Sequence, residues 1–199
     1  MIAPVHPLAM YTAGTAIFLS SFALSALAVF ILRRLALAAG FVDKPGGRKQ
    51  HEMSVPAIGG IAIFVTFLGF MVTLGMMPWA FYAALALILI VGVVDDGWSI
   101  NSRLKFLIHF LAAFILVMGG GAQIETLGNI LGFGELQLGI FAIPFSVACV
   151  VYILNAVNMM DGMDGLAGGN SFIIFGWLAL AAFMLGDTDA LLSIMLLMG

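Results

Sequence analysis

Apolar residues fill this chain in long blocks separated by short polar segments, and the block lengths carry the first prediction. A helix needs about 20 apolar residues to cross a bilayer core roughly 30 Å thick. Blocks at 12–32, 55–75, 79–94, 104–120, 138–157 and 170–186 reach or approach that length, the third being the shortest. A seventh runs from 190 to 199; at about 1.5 Å per residue it covers about 15 Å, roughly half a core. The pattern predicts an all-α, polytopic membrane helix bundle. It has six full transmembrane helices and a truncated seventh, all in a single integral-membrane domain over 1–199. A chain stopping inside the bilayer leaves helix-terminal carbonyls unsatisfied in lipid. The expectation is therefore the N-terminal part of a longer protein.

Composition agrees, with 63% hydrophobic and 9% charged residues against roughly 25% charged in an ordinary soluble domain. The first block is not a secretory signal, because no Lys or Arg precedes it and Arg33-Arg34 stand at its far end. It reads as an anchor. A net charge of −3 without a basic tract excludes nucleic-acid binding. The single cysteine, Cys149, allows no intrachain disulfide and reads as a small apolar residue.

The charges also predict orientation. All seven basic residues, Arg33, Arg34, Lys44, Arg48, Lys49, Arg103 and Lys105, lie in the first–second and third–fourth connections. The alternate connections carry Glu125, Glu135, Asp187 and Asp189 and no cation. The positive-inside rule then puts the N-terminus outside and the 33–54, 95–105 and 155–169 segments in the cytoplasm. The external segment "IETLGNILGFGELQLG" has the Gly punctuation and short alternating runs of a small β-hairpin.

Three polar clusters meet on the cytoplasmic side: "GFVDKPGGRKQHEMSVPAIGG", "VVDDGWSINSRLK" and "NAVNMMDGMDGLAGG". Asp43 to Gly47 suits an ordinary turn, and Arg48 and Lys49 would serve as orientation signals alone. The carboxylates resist such readings. Asp95, Asp96 and Asp161 stand at the C-terminal ends of outside-to-inside helices, where the backbone dipole already presents negative charge. Adjacent carboxylates also repel, so basic partners or a metal ion are required. Asn155, Asn158 and Asp161 recur every third position and form a slanting ridge on a helix, drifting about 60° per step. Gly162 and Gly165 interrupt the helix and put Asp164 on the turn. An oxygen donor set without a Cys/His pattern favours Mg²⁺ or Mn²⁺ over Zn²⁺. His109, alone in its apolar block, reads as a satisfied interhelical contact, and His6 as an idle residue near a terminus.

The segments "VVDDGWSINSRLKF" and "NAVNMMDGMDGLAGG" resemble two signature stretches of the polyprenyl-phosphate N-acetylhexosamine-1-phosphate transferases, glycosyltransferase family 4. "VDKPGGRKQHEMSVPAIGG" resembles the branch that loads N-acetylglucosamine 1-phosphate onto undecaprenyl phosphate to begin O-antigen lipopolysaccharide, enterobacterial common antigen or teichoic-acid linkage units. The resemblance implies a Mg²⁺-dependent exchange at the cytoplasmic face of the bacterial inner membrane, with undecaprenyl phosphate and a UDP-N-acetylhexosamine as substrates and UMP as the leaving product. It casts Asp95 and Asp96 as catalytic and metal-contacting residues and Asn158 as a metal ligand. Asn155, Asp161 and Asp164 would contact the nucleotide-sugar. Arg48, Lys49, His51, Arg103 and Lys105 would contact phosphate or pyrophosphate. Direct attack and a covalent aspartyl intermediate both remain open, and a homodimer is compatible with the apolar surface.

The resemblance also implies what these 199 residues lack. Family members continue to about ten or eleven spans, with a further cytoplasmic aspartate in an F-x-G-D-type segment and a His-rich loop. The chain alone is therefore expected to be inactive and its longer parent active. Two other readings stand beside the enzyme. A transporter predicts carboxylates near the midplane and an inverted repeat, whereas these cluster at one face. A noncatalytic assembly subunit predicts that the complete reading frame exchanges no UMP.

Overall fold

The computed structural model describes residues 7–40, 58–75, 77–98, 100–160 and 165–199. Among the described residues seven α-helices follow in order: α1 Pro7–Ala39, α2 Gly59–Leu74, α3 Trp79–Trp98, α4 Ser102–Gly120, α5 Ala142–Met160, α6 Leu166–Leu185 and α7 Thr188–Met198. A short 3₁₀ turn, Gly139–Phe141, leads into α5. The all-α expectation holds. The helices α1, α3, α4, α5 and α6 are long and apolar enough to cross a membrane, whereas α2 and α7, at 16 and 11 residues, are shorter. Large apolar side chains such as Phe22, Phe30, Ile63, Leu107 and Leu178 are exposed, surface that lipid and not water accommodates. The chain is a multi-pass membrane protein.

The helices fall into two compact units, Met1–Met76 with Met163–Gly199, and Met77–Gly162. In the first, α7 packs on α1 and α6, and α2 packs on α1. Ala179 and Ala182 of α6 bury against Leu191 of α7. The sharp reversal between those helices needs a left-handed residue, supplied by Gly186 at φ 71°. Asp187 then caps α7, its carboxylate accepting from the Ala190 N–H at 3.0 Å.

In the second unit α4 packs against both α3 and α5. Small residues set the spacing, as expected where helices approach in lipid: Ala80 and Ala84 on α3, Ala112 and Ala113 on α4. Ala113, Val117, Val147 and Val151 form the α4–α5 core. Their spacing of four on each helix is one ridge per helix, and the two ridges run antiparallel. The 121–138 connection between them forms one isolated antiparallel bridge, Thr126 with Gln137. Backbone bonds Leu127 N–H to Leu136 O at 3.0 Å and Leu138 N–H to Glu125 O at 2.8 Å surround it. The expected hairpin thus takes the form of a turn with one bridge, and the described residues contain no strand. Gly128, Gly132 and Gly134 at positive φ interrupt the extended runs that a strand needs. Buried Ser146 ties this connection to α5 by accepting from the Ile124 N–H at 2.8 Å.

Gly119 marks a close α3–α4 approach, because a Cβ there would stand 2.7 Å from the Ala80 Cβ. Gly119→Ala is expected to cost about 1–3 kcal/mol, since the neighbouring atom belongs to a short side chain that has no rotamer to yield. Gly92→Ala, where a Cβ meets open space, should leave stability unchanged or raise it slightly through helix propensity. Thermal unfolding in detergent compares the two; equal melting temperatures would show that the contact is slack.

Candidate active site

Antiparallel packing brings the C-terminal end of α3, the N-terminal end of α4 and the C-terminal end of α5 to the same end of the second unit. All the described polar candidates lie there. The helix α3 continues through Asp95 and Asp96 to Trp98, so both carboxylates sit in its last turn and not beyond it. That position repels an anion, and the structure shows what offsets it for Asp95. Its Oδ2 accepts from the Lys105 Nζ at 2.6 Å, and its Oδ1 accepts from the Ile100 N–H at 3.0 Å. The side chains are 23% exposed for Lys105 and 27% for Asp95. Charge-assisted bonds of this length, partly shielded from water, hold a carboxylate in one orientation. Asp96, the next residue, is exposed.

The α3–α4 turn is short because α4 starts abruptly. Asn101 has extended backbone, φ −60° and ψ 131°, and its side-chain oxygen accepts from the Arg103 N–H at 2.9 Å. This cap satisfies one of the orphan donors of the first turn. It also sets the phase of α4. Lys105, one turn into the helix, then faces back toward Asp95, while the Arg103 side chain is exposed.

On α5, Asn155 is half-buried and Asn158 exposed, near the helix end at Met160. The Asn155 Nδ2 donates to the Val151 carbonyl at 2.8 Å. An apolar groove of about 640 Å³ runs between α4 and α5, with Phe106, Phe110 and Phe114 on one wall and Asn155 at one end. Arg48, Lys49, His51, Asp161 and Asp164 lie outside the described residues. Among the described residues no group of three or more His, Cys, Asp or Glu is gathered for a metal ion. The oxygen-bearing site candidates at this end, among the described residues, are the Asp95 and Asp96 carboxylates and the Asn155 and Asn158 amides.

His109 corrects a sequence-based expectation. It is 5% exposed and in hydrogen-bonding contact with the Asn155 side chain, so it is an interhelical residue as expected. It is not a satisfied one, because its buried Nδ1 has no partner among the described residues. The signal for this lay in two spacings, His109 to Ala113 on α4 and Val151 to Asn155 on α5. Each extends an apolar ridge by one turn with a polar residue.

Comparison with known proteins places this arrangement. The pattern of glycosyl transferase family 4 matches residues 78–199, from just before α3 to the last residue, and so includes every described site residue. The chain belongs to glycosyl transferase family 4. Family 4 relatives include the undecaprenyl-phosphate alpha-N-acetylglucosaminyl 1-phosphate transferase of Yersinia pestis, 33% identical over 183 residues, or 90% of this chain and 49% of the relative. The protein of the same name from Escherichia coli (strain K12) is 31% identical over 177 residues, covering 86% of this chain and 47% of its own length. A probable undecaprenyl-phosphate N-acetylglucosaminyl 1-phosphate transferase of Bacillus subtilis (strain 168) is 32% identical over 156 residues, 76% and 43% of the two chains. The chain spans about half the length of these family 4 relatives.

Proposed function

We propose that the chain contributes the α3–α5 end of the active site of a membrane transferase that moves N-acetylhexosamine 1-phosphate, most simply N-acetylglucosamine 1-phosphate, from its UDP-sugar to undecaprenyl phosphate. The observation that carries this reading is the Asp95–Lys105 pair beside exposed Asp96, in a segment matched by the transferase family. The reaction joins two anionic phosphates, so the site must both hold cations and position an oxygen nucleophile. An oxygen of the lipid phosphate forms a bond to the sugar-bearing phosphorus. The bond from that phosphorus to the bridging oxygen breaks, and UMP departs with that oxygen.

In this reading Asp95, oriented by Lys105 and Ile100, and Asp96 position the lipid phosphate and take up its remaining proton. Arg103 and Lys105 draw the phosphates to the mouth of the site, as do Arg48, Lys49 and His51 from the first loop. Asn155, Asp161 and Asp164 bind the nucleotide-sugar. Carboxylate and amide oxygens suit a hard cation that keeps waters and takes substrate phosphates as ligands, so Asp95, Asp96 and Asn158 would hold Mg²⁺. When bound, the ion neutralises charge on the transferring phosphoryl group. The apolar groove ending at Asn155 suits the hydrocarbon of the lipid phosphate. The distribution of Lys and Arg supports an N-terminus outside and this end of the second unit in the cytoplasm, in a bacterial inner membrane.

The test is UMP release from UDP-N-acetylglucosamine and undecaprenyl phosphate by the complete reading frame in proteoliposomes. Release above background, lost in Asp95→Asn, is expected; a folded complete protein that releases none would sink the enzyme reading in favour of a noncatalytic subunit.

A further inference from the structure

Of the polar groups at this end of the second unit, His109 is the one for which the proposed chemistry has no use. Its surroundings argue against simple packing. Ala113 and Val117 on α4 and Val147 and Val151 on α5 build the antiparallel contact from small apolar residues. His109 and Asn155 are the next residues along those two ridges, one turn closer to the Asp95–Lys105 pair. A rung that only packed would be served by another Ala or Val. Here an imidazole is buried with one nitrogen unpartnered, an arrangement that costs stability and so needs a different rationale.

The bonding of Asn155 supplies one. Its Nδ2 is committed to the Val151 carbonyl, which leaves the Oδ1 as the acceptor for the histidine. With Nδ1 unpartnered, the nitrogen that meets Asn155 is Nε2. The contact with His109 and the bond to the Val151 carbonyl together constrain the Asn155 side chain. On the same helix as His109, one turn nearer its start, Lys105 pairs with Asp95 of α3.

We propose that His109 is a positioning residue: it holds Asn155, from beneath, in the orientation that the nucleotide-sugar meets. This inference rests on the transferase reading. His109 touches neither substrate in it and acts through Asn155 alone.

The experiment uses the complete reading frame with UMP release as the assay. His109→Leu and His109→Met are each expected to raise KM for the UDP-sugar about tenfold with kcat within about threefold of wild type, as for loss of a binding contact. His109→Gln, which keeps an N–H donor at similar reach, is expected to recover most of that loss. Asn155→Ala should raise KM at least as far, and adding His109→Leu to it should change nothing more, because residues acting in series are not additive. Melting temperatures in detergent identify variants that are folded, and the Met variant decides if the Leu variant is not. Wild-type KM in a folded His109→Leu or His109→Met, multiplicative effects of the two sites, or no recovery by Gln would each overturn the proposal while leaving the transferase reading intact. A wild-type protein without UMP release would overturn both.

Discussion

Exchanging the partners of the ion pair, Asp95→Lys together with Lys105→Asp, is expected to recover most of the thermal stability lost in either single reversal while UMP release by the complete protein stays at background. Either single reversal faces two like charges at a contact that is now 2.6 Å long. With both side chains about a quarter exposed, the stability loss should fall between exposed and buried pairs, about 1–3 kcal/mol. The exchange restores the attraction but not the chemistry. A carboxylate at 105 loses the Ile100 N–H that now orients Asp95, and a cation at 95 occupies the position proposed to receive the lipid phosphate. Removing one oriented group from a phosphoryl-transfer site costs on the order of 10²–10³ in rate, and the exchange displaces two. Melting temperatures and UMP release measured on the same preparations separate the roles. An exchanged protein with near-wild-type turnover would make the pair scaffolding and nothing more.

How the sequence encodes this pair shows where pattern reading works and where it stops. Hydropathy located each of the described helices, because the bilayer core sets the length of apolar run that a span needs, although five of them and not six are long and apolar enough to cross. It located their ends less well. The first apolar block covers 12–32, yet α1 runs on to Ala39, since "RRLALAA" is composed of good helix formers whatever their distance from the membrane. The third block stops at 94, yet α3 includes Asp95 and Asp96, because the Ile100 N–H and Lys105 offset the charge that should have ended it. The need for basic partners or a metal ion at Asp95 and Asp96 followed from helix polarity and from the repulsion of adjacent carboxylates. Which cation supplied it did not, because that depends on the phase of α4, set by the Asn101 cap. The meeting of His109 with Asn155 was hidden for a similar reason. The register of two antiparallel helices joined by an irregular connection is a tertiary quantity, and neither block of sequence contains it.

The same geometry divides the remaining candidates by how they should respond to divalent cation. Both oxygens of Asp95 accept a bond within the protein, whereas Asp96 and Asn158 are exposed at the same end of the second unit, and substrate phosphates would complete a Mg²⁺ shell there. Chelation should therefore abolish UMP release by the complete protein, and Mg²⁺ should restore it, with Mn²⁺ as a partial substitute. Asp96→Asn and Asn158→Ala are expected to raise the Mg²⁺ concentration for half-maximal rate about tenfold or more, the usual scale for damage to a metal site. Asp161→Asn and Asp164→Asn should instead raise KM for the UDP-sugar and leave the Mg²⁺ requirement near wild type, as losses of binding that substrate and transition state share. Titrating Mg²⁺ at saturating UDP-sugar, then UDP-sugar at saturating Mg²⁺, places each variant on one axis or the other. Release that survives chelation would remove the metal from the site. If all four variants moved along the Mg²⁺ axis, Asp161 and Asp164 would act as metal ligands and not as contacts to the nucleotide-sugar.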